Sequence, residues 1–199
     1  MVMERVGIFG WAFNPPTLWH RRVIEEVLDK NIVTKIIICP DGKRDDKHYG
    51  ISESHRREMI VLFYENLKKD WLNVEIDMHF FDAPTTHFTT TFEVNAYFEK
   101  LLWHAPFHIF WSDIIKGIHT WSGNPKRFIE TKLKKIFITR KWFALEWIEN
   151  MKEYEVVEIE SLEISSTQVR KLIHHNEKYT QLLEKNIATY IEKHRLYAD

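Results

Sequence analysis

Glycine is scarce in this chain of 199 residues, which contains only six. Ordinary globular proteins are about 7% glycine, so the chain has less than half the usual share. Tryptophan is abundant by contrast, with eight residues. Few positions are therefore left where the backbone can take a left-handed conformation or approach a ligand closely without a side chain in the way.

Other absences narrow the class of protein. The single cysteine, Cys39, excludes an intrachain disulfide framework and follows the apolar run 36–38, so we expect a buried strand residue and not a nucleophile. No apolar run approaches the roughly 20 residues of a membrane span, and the first strand comes without a signal-peptide core. Basic and acidic residues number 28 and 29, a net charge of -1. We expect a cytoplasmic protein with no nucleic-acid partner, no membrane contact and no metal cage of its own.

The elements that are present alternate between strands and helices. Apolar runs predict strands near 5–9, 34–39, 73–78, 107–112, 134–138 and 155–159, and helical patterns lie near 18–30, 53–69, 91–103, 144–151, 167–174 and 179–194. This order predicts an α/β fold, a Rossmann-like three-layer α/β/α sandwich on a parallel sheet. We expect one domain, 1–199, with a small C-terminal helical part at about 165–199. Ligands of such sheets bind at the carboxyl ends of the strands.

The first motif joins the first strand to the first helix. Residues 6–20 read VGIFGWAFNPPTLWH, in which two prolines precede a helix and Thr17 and His20 lie one turn apart near its start. Both side chains accompany the free amides and the positive dipole end of that helix, where anions bind. This layout is typical of a phosphate site, and a lone histidine in the first turn of a helix is also typical of an ordinary polar residue without a ligand.

A second motif lies about 150 residues further along the chain. Residues 164–170, ISSTQVR, follow a strand-like run, and Ser165 has the capping-box spacing to Gln168. This spacing predicts a helix that begins at Ser165, and it is also typical of a well-capped surface helix without a ligand.

Together the two motifs resemble those of the nucleotidyltransferase superfamily that carries the (H/T)xGH signature. The ending 190–197, YIEKHRLY, is similar to the Y-I-x-x-x-x-L-Y ending of nicotinate or nicotinamide mononucleotide adenylyltransferases. Weaker matches are the segments 54–60, 90–93, 111–113 and 136–140, so that the resemblance covers nearly the whole chain.

This resemblance implies adenylyl transfer from ATP to a pyridine mononucleotide, with Mg²⁺ supplied in complex with ATP. His20, Thr17 and Arg170 would be the catalytic residues that hold the triphosphate. Asp113 would accept from the ATP ribose, and Trp121 would stack on the pyridine ring or, equally, pack in the core. The other substrate-binding residues that it implies are Gly10, Phe13, Asn14, Lys43, Thr91, Arg140, Ile164, Ser165, Ser166 and Thr167.

The chain departs from the family pattern at four glycines. Trp11, Trp19, Trp111 and Trp142 each stand where the family motifs have glycine, which lets backbone approach phosphate or take positive φ. Two explanations stay open: a degenerate homologue without catalysis, or a gene whose UGA codons mean glycine and were read as tryptophan. The alternatives for function are another nucleotidyltransferase, such as a pantetheine-phosphate adenylyltransferase or a cytidylyltransferase, and a non-catalytic nucleotide-binding protein.

Overall fold

A sheet of six parallel strands forms the centre of the molecule. The computed structural model describes residues 4–44, 48–84, 89–117, 125–140, 151–160 and 164–198. The strands lie in the order β3-β2-β1-β4-β5-β6. Their bounds are β1 Val6–Trp11, β2 Lys35–Pro40, β3 Val74–Ile76, β4 Phe107–Trp111, β5 Lys134–Arg140 and β6 Tyr154–Ile159. Strand order turns back beside β1, so a crevice opens between the carboxyl ends of β1 and β4.

Helices connect and cover the strands, which confirms the predicted Rossmann-like α/β fold. They are α1 Leu18–Asp29, α2 Glu53–Lys69, α3 Thr91–Leu102, α4 Ile114–Gly117, α5 Pro125–Glu130, α6 Ser166–His174 and α7 Lys185–His194, with a 3₁₀ turn at Thr180–Leu182. No helix among the described residues is long and apolar enough to cross a membrane.

Three helices begin at a serine or threonine whose side-chain oxygen accepts a backbone N–H three residues on. Ser52, Thr90 and Ser165 are these residues at the starts of α2, α3 and α6. The oxygen satisfies an amide that has no partner inside the helix. The helix start predicted at Ser165 is confirmed.

The core runs through both halves of the chain. Phe9 of β1 and Leu196 near the C-terminus belong to one buried hydrophobic cluster, to which β2, α2, β6, α6 and α7 also contribute. The central strands are apolar on both faces because helices cover both sides of a parallel sheet. This shared core supports the single-domain organisation, which stays a prediction.

Three elements differ from the sequence expectation. The helix predicted over 179–194 is divided, because Leu183 turns its buried side chain inward from extended backbone between the 3₁₀ turn and α7. The short helices α4 and α5, of four and six residues, were not predicted, since so few residues show no helical period. Most of the helix predicted near 144–151 lies outside the described residues.

Candidate active site

A cavity of about 400 Å³ opens at the carboxyl ends of β1, β4 and β5. Residues from both sequence motifs face it, although about 150 positions separate them in the chain. Its lining consists of Trp11, Trp19, His20, Trp111, Ser112, Asp113, Ile138, Ile164, Ser165, Ser166 and Thr167. The fold therefore brings the two predicted phosphate segments to one place.

His20 lies in this wall with a defined tautomer. Its Nδ1 accepts the Thr17 backbone N–H at 3.0 Å and lies 2.8 Å from the Thr17 hydroxyl. Because Nδ1 is an acceptor, the proton of the neutral ring is on Nε2, the remaining donor of His20. Burial lowers the pKa of His20 to about 3, so the ring is neutral at physiological pH.

Thr17 does not line the cavity. It is buried at the N-cap of α1, and its hydroxyl and amide both face His20. The structure therefore places Thr17 behind His20, where it orients the ring. The expectation that Thr17 itself donates to phosphate stays a prediction.

The loop between β1 and α1 is bonded directly to α6. Ser166 Oγ donates to the Pro15 carbonyl at 2.8 Å, and Arg170 Nη1 donates to the Asn14 carbonyl at 2.6 Å. Asn14 is further held through its side chain, which accepts from the Tyr197 hydroxyl and donates to the Tyr49 carbonyl. These bonds fix the two motifs relative to each other before any ligand binds.

The N-terminus of α6 supplies the opposite wall. Ser165 caps the helix by accepting the Gln168 amide at 3.1 Å, and the first residues of the helix face the cavity. Free amides and the positive end of the helix dipole at such a position favour an anion. Asp113, directly after β4, is the carboxylate among the described lining residues.

Three indoles occupy the same cavity. The Trp19 ring stacks on Trp111 at a centroid distance of 5.3 Å, and Trp11 meets Trp111 edge-on at 5.8 Å. Tryptophan therefore crowds the space in front of His20 and the α6 N-terminus.

The backbone at these three positions is not left-handed. The positive φ of this region is at Phe13, with φ 48°, and not at Trp11, Trp19 or Trp111. The expectation that conformational strain penalises tryptophan there is wrong. Crowding of the cavity is the physical cost that the structure supports.

Several predicted binding residues lie elsewhere. Phe13 is fully buried against the His20 ring, at 5.1 Å between centroids, so that it supports His20 from behind. Gly10 and Lys43 line a separate, smaller cavity of about 50 Å³ at the end of β2. Thr91 is the first residue of α3, next to its cap Thr90. Trp121 and Trp142 lie outside the described residues, as does the side chain of Arg140.

Sequence reasoning missed Arg56, which shapes the loop after β2. Its guanidinium is buried, donates from Nη2 to the Asp41 carbonyl at 2.6 Å, and stacks on the rings of Tyr49 and Phe81. The H-R-x-x-M resemblance at 55–59 was its only signal. Tyr197 was also missed, although it closes the YIEKHRLY tail, because its partner Asn14 lies 183 residues away.

Fold and cavity together define a Rossmann-like α/β protein whose two sequence motifs meet at the carboxyl edge of the sheet, the layout of a nucleotidyltransferase. Relatives by sequence agree with this class. The chain is 26% identical over 199 residues to a Fusobacterium nucleatum protein and 27% identical over 198 residues to one from Acholeplasma laidlawii, each named "Probable nicotinate-nucleotide adenylyltransferase". These alignments cover 95% and 98% of this chain and 97% and 98% of the relatives. No protein-family model matches the chain.

Solved structures share the fold. Plasmodium falciparum nicotinic acid mononucleotide adenylyltransferase complexed with NaAD superposes with a TM-score of 0.80 at 20% identity, covering 98% of this chain and 97% of that one. The same enzyme complexed with APC gives a TM-score of 0.77. The family resemblance inferred from the two motifs is confirmed: the chain is a homologue of the nicotinate-nucleotide adenylyltransferases.

Proposed function

We propose that the protein transfers the adenylyl group of ATP to nicotinate mononucleotide, forming the dinucleotide and pyrophosphate in NAD biosynthesis. The observation that carries this proposal is the meeting of His20 and the capped N-terminus of α6 in one cavity. The names of the relatives indicate nicotinate over nicotinamide mononucleotide as the acceptor.

The reaction needs no covalent enzyme intermediate. A phosphate oxygen of the mononucleotide attacks the α-phosphorus of ATP in line, and the bond from that phosphorus to the bridging oxygen breaks as pyrophosphate leaves. The attacking group is already an anion, so catalysis consists of positioning and of neutralising charge on the leaving group.

The described residues include hydrogen-bond donors for the phosphates of ATP. His20 Nε2–H donates without changing its protonation state, because Thr17 holds the tautomer. The free amides at the start of α6 extend the same anion site. Arg170 does not line this cavity but a neighbouring one that shares Thr167, so its remaining N–H groups would reach the phosphates from that side. Asp113 faces the cavity as an acceptor for ribose hydroxyls.

Mg²⁺ belongs to the substrate complex in this proposal. The described residues hold no cluster of three or more histidine, cysteine or acidic side chains, and Asp113 is the carboxylate that they offer at the cavity. This donor set fits a Mg²⁺ ion that keeps its waters and is bound mainly by ATP phosphates. A cytoplasmic location stays a prediction.

The test uses the protein with glycine at 11, 19, 111 and 142. Incubated with ATP, Mg²⁺ and nicotinate mononucleotide, it should release pyrophosphate and form the dinucleotide, detected by chromatography. Nicotinamide mononucleotide and phosphopantetheine are parallel acceptors. Product from phosphopantetheine alone would move the protein to the sister activity, and ATP binding without product from any acceptor would favour the non-catalytic alternative.

A further inference from the structure

The end of α2 has an unexpected residue in a well-defined motif. The Leu72 amide donates to the Leu67 carbonyl, and the Trp71 amide donates to the Lys68 carbonyl. These two bonds make a Schellman motif, which places Trp71 at the position where helices most often have glycine. Trp71 has φ 61°, a left-handed backbone that penalises a side chain with a Cβ.

Two other helices end with the same pair of bonds. Asn176 has the equivalent position after α6, with φ 56°, and Arg195 after α7, with φ 49°. Asparagine tolerates this conformation better than other residues that carry a Cβ. The bulkiest side chain at this position in the described chain is therefore Trp71.

Trp103, at the end of α3, shares the left-handed backbone of Trp71. It is the C-cap residue, with φ 63° and ψ 14°. Trp71 and Trp103 are 93% and 94% exposed, whereas the next most exposed large apolar side chain among the described residues is Leu101 at 53%. Neither indole gains packing energy that could offset its backbone strain.

We infer that Trp71 and Trp103 stand at glycine positions, as Trp11, Trp19 and Trp111 do, and that the functional protein carries glycine at all five. For Trp71 and Trp103 the basis is backbone geometry. For Trp11, Trp19 and Trp111 we rely on the proposed function. All five tryptophans of the described residues are then explained together.

Trp71 and Trp103 decide between the two explanations left open by the sequence. Loss of catalysis relaxes selection only at the cavity, since helix ends are needed for folding whether or not the enzyme works. A decayed homologue would therefore keep glycine at 71 and 103. Tryptophan in both regions indicates one common cause, namely UGA codons that specify glycine and were translated as tryptophan. A docking role for the exposed indoles would not require left-handed backbone.

The first experiment reads the gene. We expect UGA at codons 71 and 103 as well as at 11, 19 and 111, and we expect tryptic peptides of the protein from its own source to contain glycine at these positions. UGG codons at 71 and 103, or peptides with tryptophan there, overturn the inference. Neither readout depends on enzymatic activity, so failure of the proposed function is a separate result.

The second experiment measures the melting temperature of the chain as written. W71G and W103G should each raise Tm by about 2–4 °C, because strain is removed and no packing is lost. N176G is the matched control at the same motif position and should shift Tm by less than about 1 °C, since asparagine is already tolerated there. A lower Tm for W71G and W103G overturns the backbone argument.

Discussion

The tryptophans of the cavity and those of the helix ends have opposite environments. Trp19 and Trp111 stack face to face beside His20, on ordinary backbone. Trp71 and Trp103 extend into solvent from left-handed backbone and belong to no buried cluster. One pair lines the cavity on ordinary backbone, and the other has left-handed backbone and does not line the cavity.

This difference shows that a glycine is required for two separable reasons. In the cavity it leaves room, so its replacement costs function first. At a helix end it allows positive φ, so its replacement costs stability first. The two regions can therefore be tested independently, with activity for one and unfolding for the other.

The largest effect, on turnover, is expected when the tryptophans of the cavity are replaced by glycine. Glycine at 11, 19, 111 and 142 should raise turnover of ATP and nicotinate mononucleotide by at least about 10²-fold over the chain as written, because displacement of reacting groups by about 1 Å already costs that much. ATP affinity, measured by calorimetry, should rise in parallel.

The helix-end variant W71G/W103G is the control for that comparison. It should leave turnover at the level of the chain as written, since neither residue lines the cavity. Tight ATP binding with all the cavity tryptophans in place would contradict the crowding argument.

Within the glycine-restored protein, His20→Ala should lower kcat by about 10²-fold, as expected when one preorganised donor to the leaving phosphates is lost. The free energy of unfolding should also fall by about 1 kcal/mol, because His20 accepts the Thr17 amide at the start of α1. Steady-state kinetics and urea unfolding measure the two effects. His175→Ala, an exposed histidine at the end of α6, should change neither, and an unaltered kcat in His20→Ala would remove His20 from the mechanism.

Arg170→Ala should raise KM for ATP by about 10-fold or more and KM for the mononucleotide by less. The guanidinium lines a neighbouring cavity that shares Thr167 with the cavity of His20, and it donates to the Asn14 carbonyl at 2.6 Å. Arg170→Lys keeps the charge without the planar fork, so it should recover only part of the loss. Equal effects on both substrates would mean that Arg170 acts only by fixing the loop.

The alternation of strands and helices along the chain and the two segments that meet at the cavity could be predicted from the sequence, because apolar runs, prolines and capping spacings are local signals. The start of α6 at Ser165 is one example, confirmed by its bond to the Gln168 amide. The direction in which a side chain points depends on tertiary contacts, so it could not be predicted from local sequence. Thr17 and Phe13 belong to the phosphate motif in sequence, and yet both face His20 from the protein side.

Contacts between distant segments were out of reach for a related reason. Asn14 is an anchor for Tyr197 and Tyr49, and nothing in the pattern around position 14 indicates partners so far along the chain. The left-handed ends of α2 and α3 were missed because they depend on the residue at which each helix stops, and helix ends are uncertain by one or two residues.

Acid should destabilise the protein through two buried histidines. His20 lines the cavity, and His108 lies away from it in β4. Burial lowers the pKa of His20 and of His108 to about 3. An unfolded histidine has a pKa of about 6.5, so below that pH the unfolded chain binds protons that the folded protein does not. These histidines therefore do not reduce the free energy of unfolding above about pH 6.5. As pH falls from there towards 3, each histidine lowers it by up to about 1.4 kcal/mol per pH unit.

Urea unfolding at pH 7, 6, 5 and 4 measures this slope. His108→Gln keeps a partner for Asn95, and the unfolded chain of this variant should bind one proton fewer than the parent between about pH 6.5 and 3. A pH-independent stability between 7 and 4 would show that both rings are accessible to protons in the folded state.

The smallest expected effect tests whether the cost of Trp71 comes from its left-handed backbone or from its exposed indole. Arg195 has the same Schellman position after α7, with φ 49°, and is exposed like Trp71. Arg195→Gly should raise the free energy of unfolding by about 0.5–1 kcal/mol, because relief of left-handed strain of about 1–2 kcal/mol is partly offset by the greater freedom of glycine in the unfolded chain. Urea unfolding compares this gain with that of Trp71→Gly. Equal gains would assign the cost at both helix ends to backbone conformation alone, and a clearly larger gain for Trp71→Gly would mean that the exposed indole adds a cost of its own.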